Sequence, residues 1–117
     1  SLQSHLHYFS NIITYEDVKI HKPYPDAYQL ATKLADKSNL DCLAIEDSRI
    51  GVKAAKAAKL SCLLTLPPWS ISTECINRKA NACVNSLGNI DKPSRLIYGK
   101  KLINNFVDYK YLTNIIN

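Results

Sequence analysis

No apolar run in this chain reaches the roughly 18 residues that a membrane-spanning helix needs, which excludes such a span. No basic-then-apolar leader opens it either, although a chain that starts at Ser1 without Met leaves the leader question open. Its four cysteines include no Cys-x-x-Cys pair, which removes the usual zinc spacings. Cys42 and Cys62 read as small core hydrophobes, Cys75 and Cys83 follow at irregular spacing, and a reduced compartment is expected. No internal repeat or low-complexity linker interrupts the 117 residues, a length that suits one domain. The net charge of +5 lacks the continuous basic stripe or interleaved aromatics of a nucleic-acid surface. Lys53, Lys56 and Lys59 share one helix face and read as its solvated side. His5, His7 and His21 lie apart from one another and from the acidic residues, as surface or loop histidines do.

What is present begins at an abrupt junction. Cys42 to Ile45 is a continuous apolar run, the pattern of a strand buried on both faces. Glu46 and Asp47 follow side by side, and a helix with Ala54, Ala55 and Ala58 at packing spacing comes next. Neighbouring carboxylates at the C-terminal tip of a parallel strand stand where open α/β sheets bind ligands. Two carboxylates about 4 Å apart repel by about 4 kcal/mol at an effective dielectric near 20. A divalent cation relieves that repulsion, and hard oxygen ligands suit Mg²⁺. The plainer alternative is that Asp47 or Ser48 caps the helix while Glu46 is solvated.

A second motif lies upstream, at His21-Lys22-Pro23-Tyr24-Pro25-Asp26-Ala27-Tyr28. Pro23 and Pro25 stiffen the backbone after Lys22 and keep a helix from running back through it. Pro25 or Asp26 can open the next helix, with Ala27, Tyr28, Ala31, Leu34 and Ala35 on one face. Lys22 is therefore expected on a stiff loop. A fixed ammonium beside metal-binding carboxylates is what phosphoryl chemistry requires, because it neutralises the transferring group.

Together, Lys22-Pro23-x-Pro25-Asp26-x-Tyr28 and Ile45-Glu46-Asp47-Ser48-x-x-Gly51-x-x-Ala54-Ala55-x-x-Ala58 resemble the third and fourth motifs of the haloacid dehalogenase-like hydrolases. The nearer likeness is to the branch holding CbbY-type sugar-phosphate phosphatases, phosphoglycolate phosphatases and β-phosphoglucomutases, and it runs over residues 9–88. The resemblance implies that Lys22 contacts the phosphoryl group and the nucleophile, and that Glu46 and Asp47 help to hold Mg²⁺. It implies loop-shaping roles for Ser48 and for Gly51, which lets the helix pack closely. An acidic pair favours phosphoryl transfer over metal-free dehalogenation. One departure is local: the helix ends Ala58-Lys59 where the family has Ala-Gly, and a lysine in a left-handed cap costs roughly 1 kcal/mol.

A larger departure is the missing Asp-x-Asp that carries the family's nucleophile. Asp17, Asp26, Asp36, Asp41, Asp91 and Asp108 each lack a second acid two residues on. The chain is accordingly read as the C-terminal part of a longer enzyme, with nucleophile, Ser/Thr motif and cap upstream, and it is expected to be inactive alone. The implied fold is α/β: a Rossmann-like parallel sheet flanked by helices, with strands ordered 5-4-1-2-3. Phe9 to Thr14 would be the third strand, 42–45 the fourth and 61–65 the fifth, leaving the fourth with an open edge prone to aggregation. Residues 1–91 would belong to the core and 92–117 to an extension packed on it. Within that extension 95–99 reads as a short strand, and Asp108 as the N-cap of a helix carrying Tyr111, Leu112, Ile115 and Ile116. A short helix over 73–78 and a rim loop carrying Trp69 complete the reading.

The expected activity is Mg²⁺-dependent hydrolysis of a small phosphorylated sugar or related phosphomonoester, with neither nucleic acid nor membrane as partner. The alternatives are a phosphomutase, which shares every motif here, and a remnant or interaction module without catalysis. Abundant Lys, Asn and Ile resemble the coding bias of an AT-rich genome, which points to cytoplasm or plastid stroma.

Overall fold

Apolar runs alternate with amphipathic segments from residue 26 onward, and the backbone follows that alternation. The structure, a computed structural model, describes residues 2–66 and 79–116. After short 3-10 turns at Leu2–Tyr8 and Tyr15–Asp17 come α1 (Asp26–Ala35), β1 (Leu43–Glu46), α2 (Arg49–Ala57) and β2 (Ser61–Thr65). Then follow β3 (Ala82–Val84), β4 (Leu96–Tyr98) and α3 (Tyr109–Ile116). The four strands form one sheet in the order β1-β2-β3-β4. β1, β2 and β3 are parallel, with Glu46 opposite Leu64 and Leu64 opposite Cys83, and β4 returns antiparallel along β3. This is the helix-flanked α/β sheet expected from the sequence.

Each sheet face has its own core. On one side Ala44, Cys62, Leu64 and Cys83 pack against Val52 and Ala55 of α2 and its C-cap Ala58, with the Tyr28 ring of α1 at the margin. The opposite side joins Leu63, Ala82 and Val84 to Tyr111 and Ile115 of α3. β2 and β3 are thus covered on both faces, as parallel strands require. Asp108 caps α3 as expected, its Oδ1 accepting from the Tyr111 amide at 2.9 Å. Cys62 is buried among apolar neighbours, and desolvation followed by the charge of Glu46 pushes its thiol up to about 12. Lys59 adopts the left-handed φ of 62° that its place after α2 demands.

Two expectations fail. β1 is not buried on both faces: Ile45 is 44 % exposed, because α3 reaches only as far as Leu43 and no strand flanks the other edge of β1 among the described residues. Nor do residues 9–14 form a strand; Phe9 and Ile12 are each more than half exposed. A strand needs a ladder partner for its amides and carbonyls, and none lies beside this segment among the described residues. Trp69, Cys75 and the helix expected over 73–78 lie outside the described residues. Among those residues no helix is long and apolar enough to cross a membrane.

Candidate active site

Lys22 sits between the 3-10 turn at Tyr15–Asp17 and α1, on a loop whose own hydrogen bonds restrain it. The Tyr24 amide donates to the His21 carbonyl at 3.1 Å, and the Gln29 amide to Pro25 at 2.9 Å. His21 stacks on Tyr15 with ring centroids 3.7 Å apart, and its Nε2 donates to the Tyr15 carbonyl at 2.8 Å. The Lys22–Pro23 peptide is cis. Beside this loop lies a cavity of about 350 Å³ lined by Ile13, Tyr15, Val18, His21, Lys22 and Ile50.

At the tip of β1 the two neighbouring acids part. Glu46 is buried at 7 % exposure, whereas Asp47 is exposed and makes no hydrogen bond or ion pair with the described residues. Alternation along a strand accounts for this, since successive side chains leave on opposite faces. Ser48 then caps α2, its Oγ accepting from the Gly51 amide at 3.2 Å. The capping alternative is therefore correct for Ser48, but its companion, a solvated Glu46, is not.

A buried carboxylate needs partners, and Glu46 has two on the same oxygen. Lys22 Nζ donates to Oε1 at 2.5 Å, from a side chain that is 39 % exposed against 6 % for Glu46. Tyr28, in the first turn of α1, donates its phenol hydroxyl to that oxygen as well. The Lys22 ammonium also lies 5.3 Å from the centroid of the Tyr28 ring, within cation–π range. Burial, and after it the Glu46 hydrogen bond and charge, holds the Tyr28 phenol far above its ordinary range. Such charge-assisted bonds are the strong ones. The other oxygen, Oε2, rests on Gly51: a Cβ there would come within 1.9 Å of it. Gly51 is thus needed for the carboxylate's own space.

Lys22, Glu46, Ser48 and Gly51 are in this way brought together, with Asp47 adjacent and turned outward. Tyr28 was read from the sequence as part of an apolar helix face and of the Lys22-Pro23-x-Pro25-Asp26-x-Tyr28 motif, without a role of its own in the site. Its place six residues after Lys22, one turn into a helix that begins on the same loop, was the available signal.

Among the described residues no three His, Cys, Asp or Glu side chains cluster as a ready metal cage. The donor chemistry nevertheless fits Mg²⁺, which takes one or two carboxylates and completes its shell with water and phosphate oxygens. Asp47 offers an uncommitted hard-oxygen ligand, and Glu46 is committed on Oε1.

Residues 2–59, which contain every residue of this site, match the family described as haloacid dehalogenase-like hydrolase. Fructose-1-phosphate phosphatase YqaB of Escherichia coli is 36 % identical over 61 residues, half of this chain and 32 % of its own length. A haloacid dehalogenase-like hydrolase domain-containing protein of Arabidopsis thaliana is 46 % identical over 50 residues, 43 % of this chain and 16 % of its own length. The chain thus spans between a sixth and a third of the curated relatives it matches. A family IA, variant 3 hydrolase structure from Entamoeba histolytica superposes with a TM-score of 0.68 at 18 % identity, over 96 % of this chain and 44 % of that one, a likeness of fold. The family match across the site and this agreement in fold support membership of the haloacid dehalogenase-like hydrolase superfamily.

Proposed function

We propose that the protein carrying this chain hydrolyses a small phosphomonoester, a sugar phosphate in the first instance, with Mg²⁺ as cofactor, as a member of the CbbY-type branch. The observation that carries this reading is the Lys22–Glu46 pair at the tip of β1, with the free carboxylate of Asp47 next to it. Lys22 would present its ammonium to the phosphoryl oxygens, and Glu46 would hold that ammonium in place when no phosphate is bound. Asp47, with Glu46 beside it, would hold Mg²⁺, which supplies charge neutralisation at the phosphoryl group. Ser48 and Gly51 shape the loop that presents both acids. The nucleophile would be an aspartate upstream of Ser1, attacking phosphorus to release the alcohol and give an aspartyl-phosphate that water then cleaves. On this reading 1–91 is the C-terminal part of the core, 92–117 is an extension, and the chain alone is inactive.

The test is phosphate release from fructose 1-phosphate and related sugar phosphates by the complete protein, with Mg²⁺ and with chelator. Asp47→Asn should abolish the Mg²⁺-dependent rate while barely changing the unfolding midpoint, since Asp47 is exposed and unpartnered among the described residues. Survival of that rate in the variant would remove Asp47 from the metal site.

A further inference from the structure

We propose that Tyr28 is a positioning residue of this site, a role that rests on the phosphoryl contact proposed for Lys22. Three elements converge on one atom: Lys22 from its loop, Tyr28 from α1 and Glu46 from β1 all meet at Glu46 Oε1. Neither donor sits on the second oxygen, which fills the space that a Cβ at Gly51 would take. Lys22 and Tyr28 therefore hold the carboxylate through the same oxygen, and each supports the geometry of the other.

The two donors are not equivalent. Lys22 is 39 % exposed and belongs to a flexible side-chain type, so it can lean toward a phosphoryl oxygen. Tyr28 cannot move in that way, because its ring packs on the core formed by Ala44, Val52 and Cys62. When the ammonium leaves Oε1 for phosphate, a carboxylate that is only 7 % exposed would lose its sole cationic partner among the described residues. The phenol hydroxyl keeps one donor on it throughout. Glu46 then stays at one position over Gly51, and Lys22 returns to the same seat when phosphate departs. The Tyr28 ring face, 5.3 Å from the ammonium, limits how far Lys22 strays between the two. Tyr28 does this without touching the reacting atoms.

Tyr28→Phe keeps the ring in the core and removes only the donor, so the fold should persist, as circular dichroism and the urea midpoint will report. Trace acetylation of the complete protein, read by mass spectrometry as the ratio of Lys22 to the exposed Lys101, follows the seating of the ammonium without any need for turnover. The variant should raise that ratio severalfold, and should lower kcat about tenfold with KM little changed, the scale expected for a lost hydrogen bond to a charged group. A purely structural tyrosine would lower the midpoint and leave the ratio as in wild type. An unchanged ratio therefore overturns the proposal. Should Tyr28→Phe not fold, the same ratio in Tyr28→Leu, which also lacks the hydroxyl, decides: a raised value supports the proposal, and one as in wild type overturns it. Phosphate release by the wild-type protein tests the phosphatase reading separately, since the labelling ratio stands whether or not any ester is cleaved.

Discussion

Replacing Gly51 by alanine sets helix propensity against the packing of Glu46. Gly51 is the third residue of α2, and alanine in place of glycine within a helix is normally worth about 1 kcal/mol in favour of folding. The new methyl would meet Glu46 Oε2 at 1.9 Å, whereas ordinary van der Waals contact begins at 3.4 Å. An exposed glutamate would swing aside at little cost. This one is seated by Lys22 and Tyr28, and its displacement removes both partners from a buried charge. Breaking a buried pair costs about 3–5 kcal/mol, and the partial exposure of Lys22 brings the estimate to about 3 kcal/mol with the phenol bond included. Subtracting the helix gain leaves a net loss of about 2 kcal/mol. With an m-value of about 2 kcal/mol/M, the urea midpoint should fall by about 1 M. The control is the same substitution in a Glu46→Ala background, where no carboxylate opposes the methyl and alanine should stabilise by about 1 kcal/mol. A Gly51→Ala protein as stable as wild type would show that the carboxylate moves freely, and the seated geometry would be refuted.

Lys59 holds a left-handed conformation that glycine adopts without penalty, so Lys59→Gly should raise stability by about 1 kcal/mol in urea unfolding. A loss would mean that the lysine makes a compensating contact. The Cys62 thiol, raised from 9.0 to about 12 by burial first and Glu46 second, stays protonated in the folded chain while the unfolded chain ionises near 9. Its contribution to stability is thus complete below pH 9 and is lost as pH rises toward 12, so Cys62→Ala should flatten the alkaline fall in midpoint. In the wild-type protein, iodoacetamide at pH 8 should leave Cys62 unmodified until denaturant is added, as peptide mapping would reveal.

The parts of the fold legible in the sequence are those governed by local rules. Pro25 and Asp26 opened α1, Ser48 capped α2, Lys59 took the left-handed seat, and Asp108 capped α3. Each depends on a few adjacent residues. What went unread depends on distant neighbours. The run from Phe9 to Thr14 has strand composition but no ladder beside it, so composition alone could not make it a strand. Ile45 is exposed because covering a strand face is decided by which helix lies over it, here α3, which stops short. Tyr28 escaped as a site residue for a related reason. A tyrosine on an apolar helix face satisfies the core with its ring, and only the third dimension shows where its hydroxyl ends.

The difference between Glu46 and Asp47 follows from electrostatics as much as from pleat. Two adjacent carboxylates, both free, would repel and weaken the turn that presents them. The structure avoids this by giving one of them an internal cation: the charges of Glu46 and Lys22 cancel within a bond of 2.5 Å, and Asp47 remains as the single uncompensated acid at the tip of β1. A lone carboxylate draws a divalent cation but does not cage it, since Mg²⁺ gives up its waters reluctantly. On the proposed reading a phosphate group would change the balance by attracting the ammonium of Lys22 and the cation together. If Lys22 leans toward phosphate, as proposed, Glu46 would regain its full charge beside Asp47, and the tip of β1 would become more acidic as the cation arrives. The Lys22–Glu46 pair would then act as a reserve of negative charge that phosphate releases, and cation and phosphate binding would reinforce one another. That coupling would require Glu46 to stay in place while its ammonium is away, and the hydroxyl of Tyr28, which already donates to Oε1, is placed to hold it there.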